Sequence, residues 1–124
     1  NPGHKELSGV FKETGQPVIV GGSMESGSYL LVGTDEAMSE TFGSTIHGAG
    51  RCLSRTAAKK KTYGADLQKQ MKEHGIIVKT FSLSGLAEEA GFAYKNIDDV
   101  VDVVDKLGIS KKIARVLPIA NIKG

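Results

Sequence analysis

The stretch "PVIVGGSMESGSYLLVGTDEAM", Pro17–Met38, decides the fold. It opens on a β-branched run, Pro17 to Gly22, which ends in paired glycines and reads as a strand followed by a turn. "SYLLVG", Ser28 to Gly33, is a second strand ended by glycine. Thr34 then has the character of a helix N-cap. Asp35 and Glu36 follow in the first turn, where carboxylates suit the positive end of the helix dipole. That helix carries Ala37, Met38 and Phe42 and is expected to stop near Gly43.

The interleaving continues outward. "RCLSRTAAKKK", from Arg51, is helix-like and increasingly basic, and "GADLQKQMKEHG" sets Leu67 and Met71 four apart before Gly75 stops a further helix. "IIVKTF", Ile76 to Phe81, reads as a strand. Asn96 caps a helix in which Ile97, Val100, Val101, Val104 and Leu107 fall at helical spacing. "IARVLPIANI" is a final extended segment. Asn1 to Glu13 shows no period, and Pro2-Gly3 reads as a turn. Strands and helices interleave throughout, so the class is α+β or α/β; α+β is the reading adopted, for a single segment, residues 1–124.

Composition narrows the class further. At 124 residues the chain can bury one real core and is too short for two ordinary domains. A net charge of +2 gives no case for a nucleic-acid binder. One cysteine, Cys52, excludes an internal disulfide and fits a reducing compartment. No apolar run approaches the ~20 residues of a membrane span, and no secretory signal is visible. The expectation is a cytoplasmic protein with no membrane partner. Asn1 in place of a methionine leads us to expect a processed or trimmed chain, or a piece of a longer one.

Two glycine clusters carry the chemistry. In "GSTIHGAGRCLSR", Gly43–Arg55, His47 precedes a Gly-Ala-Gly turn and Arg51 and Arg55 follow. Consecutive N–H groups in such a turn cup an anion, and a helix starting behind it adds positive potential. A neutral imidazole is a competent nucleophile toward phosphorus near pH 7, and the arginines suit charge on phosphoryl oxygens. The competing reading is a histidine that closes a loop or caps the preceding helix. The second cluster, "VGGSMESGSY", Val20–Tyr29, follows a strand and offers Ser23, Ser28 and the N–H groups of Gly21 and Gly22. Its competing reading is a plain β-hairpin. It is neither a Walker A loop nor a dinucleotide fingerprint.

Two basic features stay open in the same way. "RTAAKKK", Arg55–Lys61, is either a salt-dependent RNA contact or a solvated helix end. The penultimate Lys123 is either a solvated tail or held by the apolar "VLPIANI" that precedes it.

"GSM...SY", "ETFGSTIHGAGR.LSR", "AYKNIDDVV" and the terminal "ISKKIARVLPIANIKG" together resemble the C-terminal part of the RtcB family of RNA-splicing ligases. The resemblance runs in order over most of the chain. It implies the C-terminal portion of the RtcB fold and a ligase that joins RNA with a 3′-phosphate or 2′,3′-cyclic phosphate to RNA with a 5′-hydroxyl, in tRNA splicing and RNA repair. It implies GTP and manganese (Mn2+). His47 becomes the nucleophile that takes up GMP. Gly21, Gly22, Ser23, Met24 and Ser28 line the nucleotide, with Gly48, Ala49 and Gly50 completing the loop at ribose and phosphate. Lys123 meets the guanine edge, Tyr94 is a candidate for packing on the base, and Arg51 and Arg55 for phosphate or RNA contact.

The family's manganese ligands belong to segments upstream of this region, so none is expected in this chain. Cys52 is expected to pack on a helix beside Leu53, His74 to end a helix before Gly75, and His4 to lie in an irregular start. The chain alone is therefore expected to be inactive and to need the missing upstream portion, with a separate activating protein as a further candidate partner. The other reading is a non-catalytic nucleotide-binding fragment or scaffold. Two departures from the family pattern matter below: Glu25 stands where many members have glycine, and Gly91 where proline is common.

Overall fold

The computed structural model describes residues 1–124. A short helix, α1 (Val10–Thr14), precedes β1 (Pro17–Gly21) and β2 (Ser28–Gly33), and α2 (Asp35–Thr41) follows. Next come α3 (Arg55–Lys59), α4 (Gly64–Glu73), β3 (Ile77–Thr80) and α5 (Leu83–Glu88). A 3₁₀ turn (Gly91–Ala93), α6 (Ile97–Lys106), β4 (Ser110–Val116) and β5 (Ala120–Lys123) complete an α+β fold.

The opening stretch folds as its sequence directs. β1 and β2 pair antiparallel with Val20 opposite Tyr29 and Gly21 opposite Ser28, so the hairpin reading of the second glycine cluster is the observed structure. Thr34 caps α2, its hydroxyl accepting from the Ala37 N–H. The same hydroxyl donates to the Gly108 and Ile109 carbonyls, tying α2 to the turn between α6 and β4. Phe42 lies outside the helix: it ends α2 in the left-handed region at φ 54° and is 94% exposed.

Two hydrophobic clusters form. In one, Val20 and Leu31 of the hairpin pack with Ala49 and with Ile97, Val101 and Val104 of α6. Those three are the buried face of the α6 period, whereas Leu107 falls past the helix end and is 61% exposed. In the other, Leu67 and Met71 of α4 meet Ile76, Val78 of β3, Leu86 and Ala90, and Met24 reaches in from the hairpin tip.

Two sequence readings need correction. The run from Arg51 does not start a helix. Cys52 and Leu53 donate their N–H groups to the Ala93 carbonyl, and Lys95 donates to the Gly50 carbonyl, so Arg51 bridges to Tyr94 as extended chain. Only at Ser54, whose side chain accepts from the Ala57 N–H, does α3 begin. Cys52 is therefore exposed and off any helix. The final extended segment is two strands in two sheets: β4 joins β2 antiparallel, giving the order β1-β2-β4, and β5 pairs parallel with β3. Pro118 lies between them; its missing N–H cannot extend a ladder. α1 and α5 carry no period long enough to be read from sequence.

α4 and α5 pack so closely that the space for a side chain at Gly64 is taken by the Leu83 carbonyl. Gly64→Ala is expected to cost about 1–3 kcal/mol of stability from overpacking, read as a lower Tm. An unchanged Tm would mean that α4 and α5 do not meet at Gly64.

Candidate functional site

The two glycine clusters, distant in sequence, touch. Gly48 bridges to Gly21 in parallel, and the Ala49 N–H donates to the Gly21 carbonyl at 2.9 Å. A Cβ at Gly48 would stand 3.2 Å from that carbonyl oxygen, so the approach favours glycine there. The buried Ala49 side chain anchors the loop in the α6 cluster. Upstream, Thr45 and the buried Ser110 share a hydroxyl–hydroxyl bond of 2.8 Å, which fixes the approach to His47.

Within this loop, the N–H groups of Gly48 and Gly50 donate to no atom of the chain, and a Cβ at Gly50 would meet nothing within 4 Å. Two unclaimed donors on open backbone are the chemistry an anion needs. The imidazole of His47 is exposed beside them and makes no hydrogen bond within the chain. The following helix adds less than its sequence suggested, because residues 51–54 separate it from the turn and α3 is one short turn and a half.

The hairpin turn uses its own polar groups. Gly22 donates to the Gly27 carbonyl at 2.9 Å. The Ser23 hydroxyl accepts from the N–H groups of Glu25 and Ser26, and the Ser26 hydroxyl accepts from the Ser23 N–H. A Cβ at Gly22 would stand 2.5 Å from the Ser26 hydroxyl. Ser28 sits at the hairpin base, opposite Gly21 and Val116. Met24 turns inward, while its carbonyl accepts from the Asn121 amide at 3.0 Å, joining the turn to β5. Glu25 neither points to solvent nor meets a phosphate: its carboxylate accepts from the Gly91 N–H. Glu25 and Gly91 are thus partners, and a proline at position 91 would have no N–H to give.

A second constellation, centred on Glu89, gathers the remaining sequence candidates. Lys123 brings its ammonium to 3.9 Å from the Glu89 carboxylate, and β5 is held by β3 with Thr80 opposite Lys123. The terminal lysine is therefore part of a sheet. The Tyr94 hydroxyl donates to Glu89. Arg51 lies over the Tyr94 ring at 4.7 Å and donates to Glu89, to the Tyr94 oxygen, and to the Leu53 and Glu88 carbonyls. Arg55 stands 3.6 Å from both Glu88 and Glu89, and Lys59 holds Glu88 at 2.8 Å. The lysine bond, foremost, keeps the Glu88 carboxyl below its ordinary range. Sequence reading missed Glu89. Its one signal was two adjacent carboxylates in a basic chain, which is too common to single out.

Ser23 and Tyr94 open onto one hollow of about 460 Å³, also lined by Glu25, Phe92 and Asn96. This brings the hairpin turn and the Glu89 constellation to a common space. His74 ends α4 as expected. The chain's His, Cys, Asp and Glu side chains form no group of three able to hold a metal ion.

Burial, and then the bond to Glu89, raises the Tyr94 phenol above its ordinary value near 10. A raised phenol holds its proton more tightly when folded, so its stabilising share is complete below pH about 10 and fades as pH rises through the folded value. Glu89→Ala is expected to bring the Tyr94 titration down, followed by ultraviolet difference absorbance. A curve that does not move would mean that the carboxylate does not hold the phenol.

A family model for the tRNA-splicing ligase RtcB matches residues 1–124. Proteins named tRNA-splicing ligase RtcB are similar to the chain over 99% of its length. They include one from Nanoarchaeum equitans at 54% identity, one from Archaeoglobus fulgidus at 51% and one from Pyrococcus abyssi at 49%. The chain spans 26% of the length of the first two and 13% of the third. Family model and relatives agree: this chain belongs to the RtcB family of tRNA-splicing ligases.

Proposed function

We propose that this chain is the nucleotide-binding, nucleophile-bearing portion of a GTP- and manganese-dependent RNA ligase. The ligase joins 3′-phosphate or 2′,3′-cyclic phosphate ends to 5′-hydroxyl ends in tRNA splicing and RNA repair. The observation that carries the reading is the contact of Gly21 with Gly48, which sets an exposed His47 beside two unclaimed N–H donors.

In this mechanism the neutral His47 imidazole attacks the α-phosphorus of GTP. A phosphorus–nitrogen bond forms as the bond to the bridging oxygen breaks, and pyrophosphate departs. The N–H groups of Gly48 and Gly50 meet the charge that grows on the α-phosphoryl oxygens. GMP then passes to the RNA 3′-phosphate, and the 5′-hydroxyl displaces it. Gly21, Gly22, Ser23 and Ser28 form the hairpin wall of the nucleotide site. Arg51, with its donors engaged by Glu88, Glu89, Tyr94 and Leu53, supports the site from behind. Arg55 is 66% exposed and keeps reach toward RNA phosphate. Arg51 covers one face of Tyr94, so a guanine packs on the other.

The residues present do not by themselves fit manganese. The proposal assigns its ligands to the remaining length of the protein, together with the contact for Ile113, Val116, Leu117 and Ile119, which are 57–81% exposed along β4 and its exit. Calorimetry on these 124 residues is expected to show weak manganese binding and no guanylylation; tight stoichiometric binding would overturn this assignment. No helix is long and apolar enough to cross a membrane; the proposal puts the ligase in the cytoplasm.

Incubating the complete protein with labelled GTP tests the nucleophile. We expect an acid-labile phosphoramidate at His47 by peptide mapping and none in His47→Ala. Normal label uptake by His47→Ala would sink the assignment and leave the scaffold reading.

Lys123 is proposed to read the guanine edge, where O6 and N7 are adjacent acceptors and adenine offers a donor instead. A charged hydrogen bond of ~1.5–3 kcal/mol predicts that Lys123→Ala lowers guanylylation roughly ten- to a hundredfold. Unaltered GTP use by a well-folded Lys123→Ala protein would leave this lysine only its place beside Glu89.

A further inference from the structure

Four of the thirteen lysines reach a carboxylate. Lys59 meets Glu88, Lys106 and Lys112 meet Asp102, and Lys123 meets Glu89. Three of the unpaired ones stand together. Lys69 and Lys72 of α4 and Lys79 of β3 line a single hollow of about 390 Å³, beside the apolar Ala65, Ile77 and Val78. All three are exposed, and none reaches a carboxylate at ion-pair distance, although α4 also carries Asp66 and Glu73. Three like charges around one hollow repel each other, and a polyanion relieves that repulsion while releasing counterions.

The hollow leads toward the nucleotide lysine. Lys79 also borders a second hollow of about 300 Å³, which it shares with Phe81, Ile122 and Lys123. In the parallel pairing of β3 with β5, Lys79 lies opposite Ile122 and Thr80 opposite Lys123. Phe81 is 95% exposed at the end of this path. Cations followed by an unshielded aromatic ring are the parts of a single-strand site: the cations track phosphates and the ring stacks a base.

We propose that Lys69, Lys72 and Lys79 form a docking track for the phosphodiester backbone of single-stranded RNA, with Phe81 as its stacking platform, leading to the nucleotide site at Lys123. The track reads no sequence. The neighbouring run Lys59–Lys61 is a weaker case, because Lys59 is already held by Glu88. The proposal rests on the ligase reading above, in which RNA is the substrate.

The test is fluorescence anisotropy of the complete protein with a labelled single-stranded RNA carrying a 3′-phosphate, without GTP, across a range of salt. The combined change Lys69→Gln, Lys72→Gln and Lys79→Gln is expected to weaken binding and to flatten the slope of log affinity against log salt by about 2, from ~0.7 per phosphate contact on a single strand. Arginine at the same three positions is expected to keep the slope. Phe81→Ala is expected to weaken binding roughly tenfold at unchanged slope.

A glutamine variant that matches the wild type in affinity and slope would overturn the track. So would an arginine variant that loses as much as the glutamine one. A polyglutamate peptide that binds the wild type more tightly than RNA at equal salt would overturn it in favour of an acidic protein partner. Because binding is read without GTP, a wild type that shows the steep slope and its loss in the glutamine variant, yet takes up no GMP, would support the track and overturn the His47 reading alone.

Discussion

The close approach of Gly21 to Gly48 is the constraint on which the rest of the site depends. Backbone meets backbone there because β1 is rooted by Val20 and the loop by Ala49, and both side chains belong to the same cluster with α6. The hydrophobic cluster thus sets the position of a loop that has almost no side chains of its own. A loop of glycines has many conformations when free, and ordering it is costly in entropy. Anchoring by a single buried methyl group and two main-chain hydrogen bonds, one given by Ala49 and one accepted by the Gly50 carbonyl, offsets part of that cost and leaves the N–H groups of Gly48 and Gly50 unclaimed.

The Glu89 constellation adds a second constraint of a different kind. Its individual ion pairs lie near the surface, where each contributes little to stability. Their effect is geometric. One carboxylate at the end of α5 collects a guanidinium from the loop after Gly50, a phenol from the segment before α6 and an ammonium from the last strand. Segments far apart in the chain are thereby tied to one carboxylate. The bond of Glu25 to Gly91 and that of Asn121 to Met24 tie the hairpin turn to the segment before α6 and to β5.

The family relation and this geometry bear on each other. The chain spans about a quarter or less of the length of the RtcB relatives named above, and Ile113, Val116, Leu117 and Ile119, along β4 and its exit, are among its exposed apolar residues. The nucleotide side of the proposed site is built from elements within the chain, whereas no metal-holding group is.

Much of the fold was legible because its signals are local. The Thr34 cap, the alternation of β1 and β2, the period of α6 and the glycine stops are properties of a few adjacent residues, and covalent geometry carries them over short distances. The motif around His47 was legible as a resemblance, and its glycines as places of open backbone. What the sequence did not contain was where distant pieces meet. The bridge from Arg51 to Tyr94 overrode a helical run, and the last segment divided at Pro118 between two sheets. The turn of Arg51 toward Glu89, the bond of Glu25 to Gly91 and the docking of Lys123 beside β3 likewise join residues far apart in the chain. Each is a choice among partners that becomes available only after the cores have closed. The sequence alone determined which segments become strands, turns and helices; the tertiary structure decided which cation meets which carboxylate, because such pairing depends on distances that only packing sets.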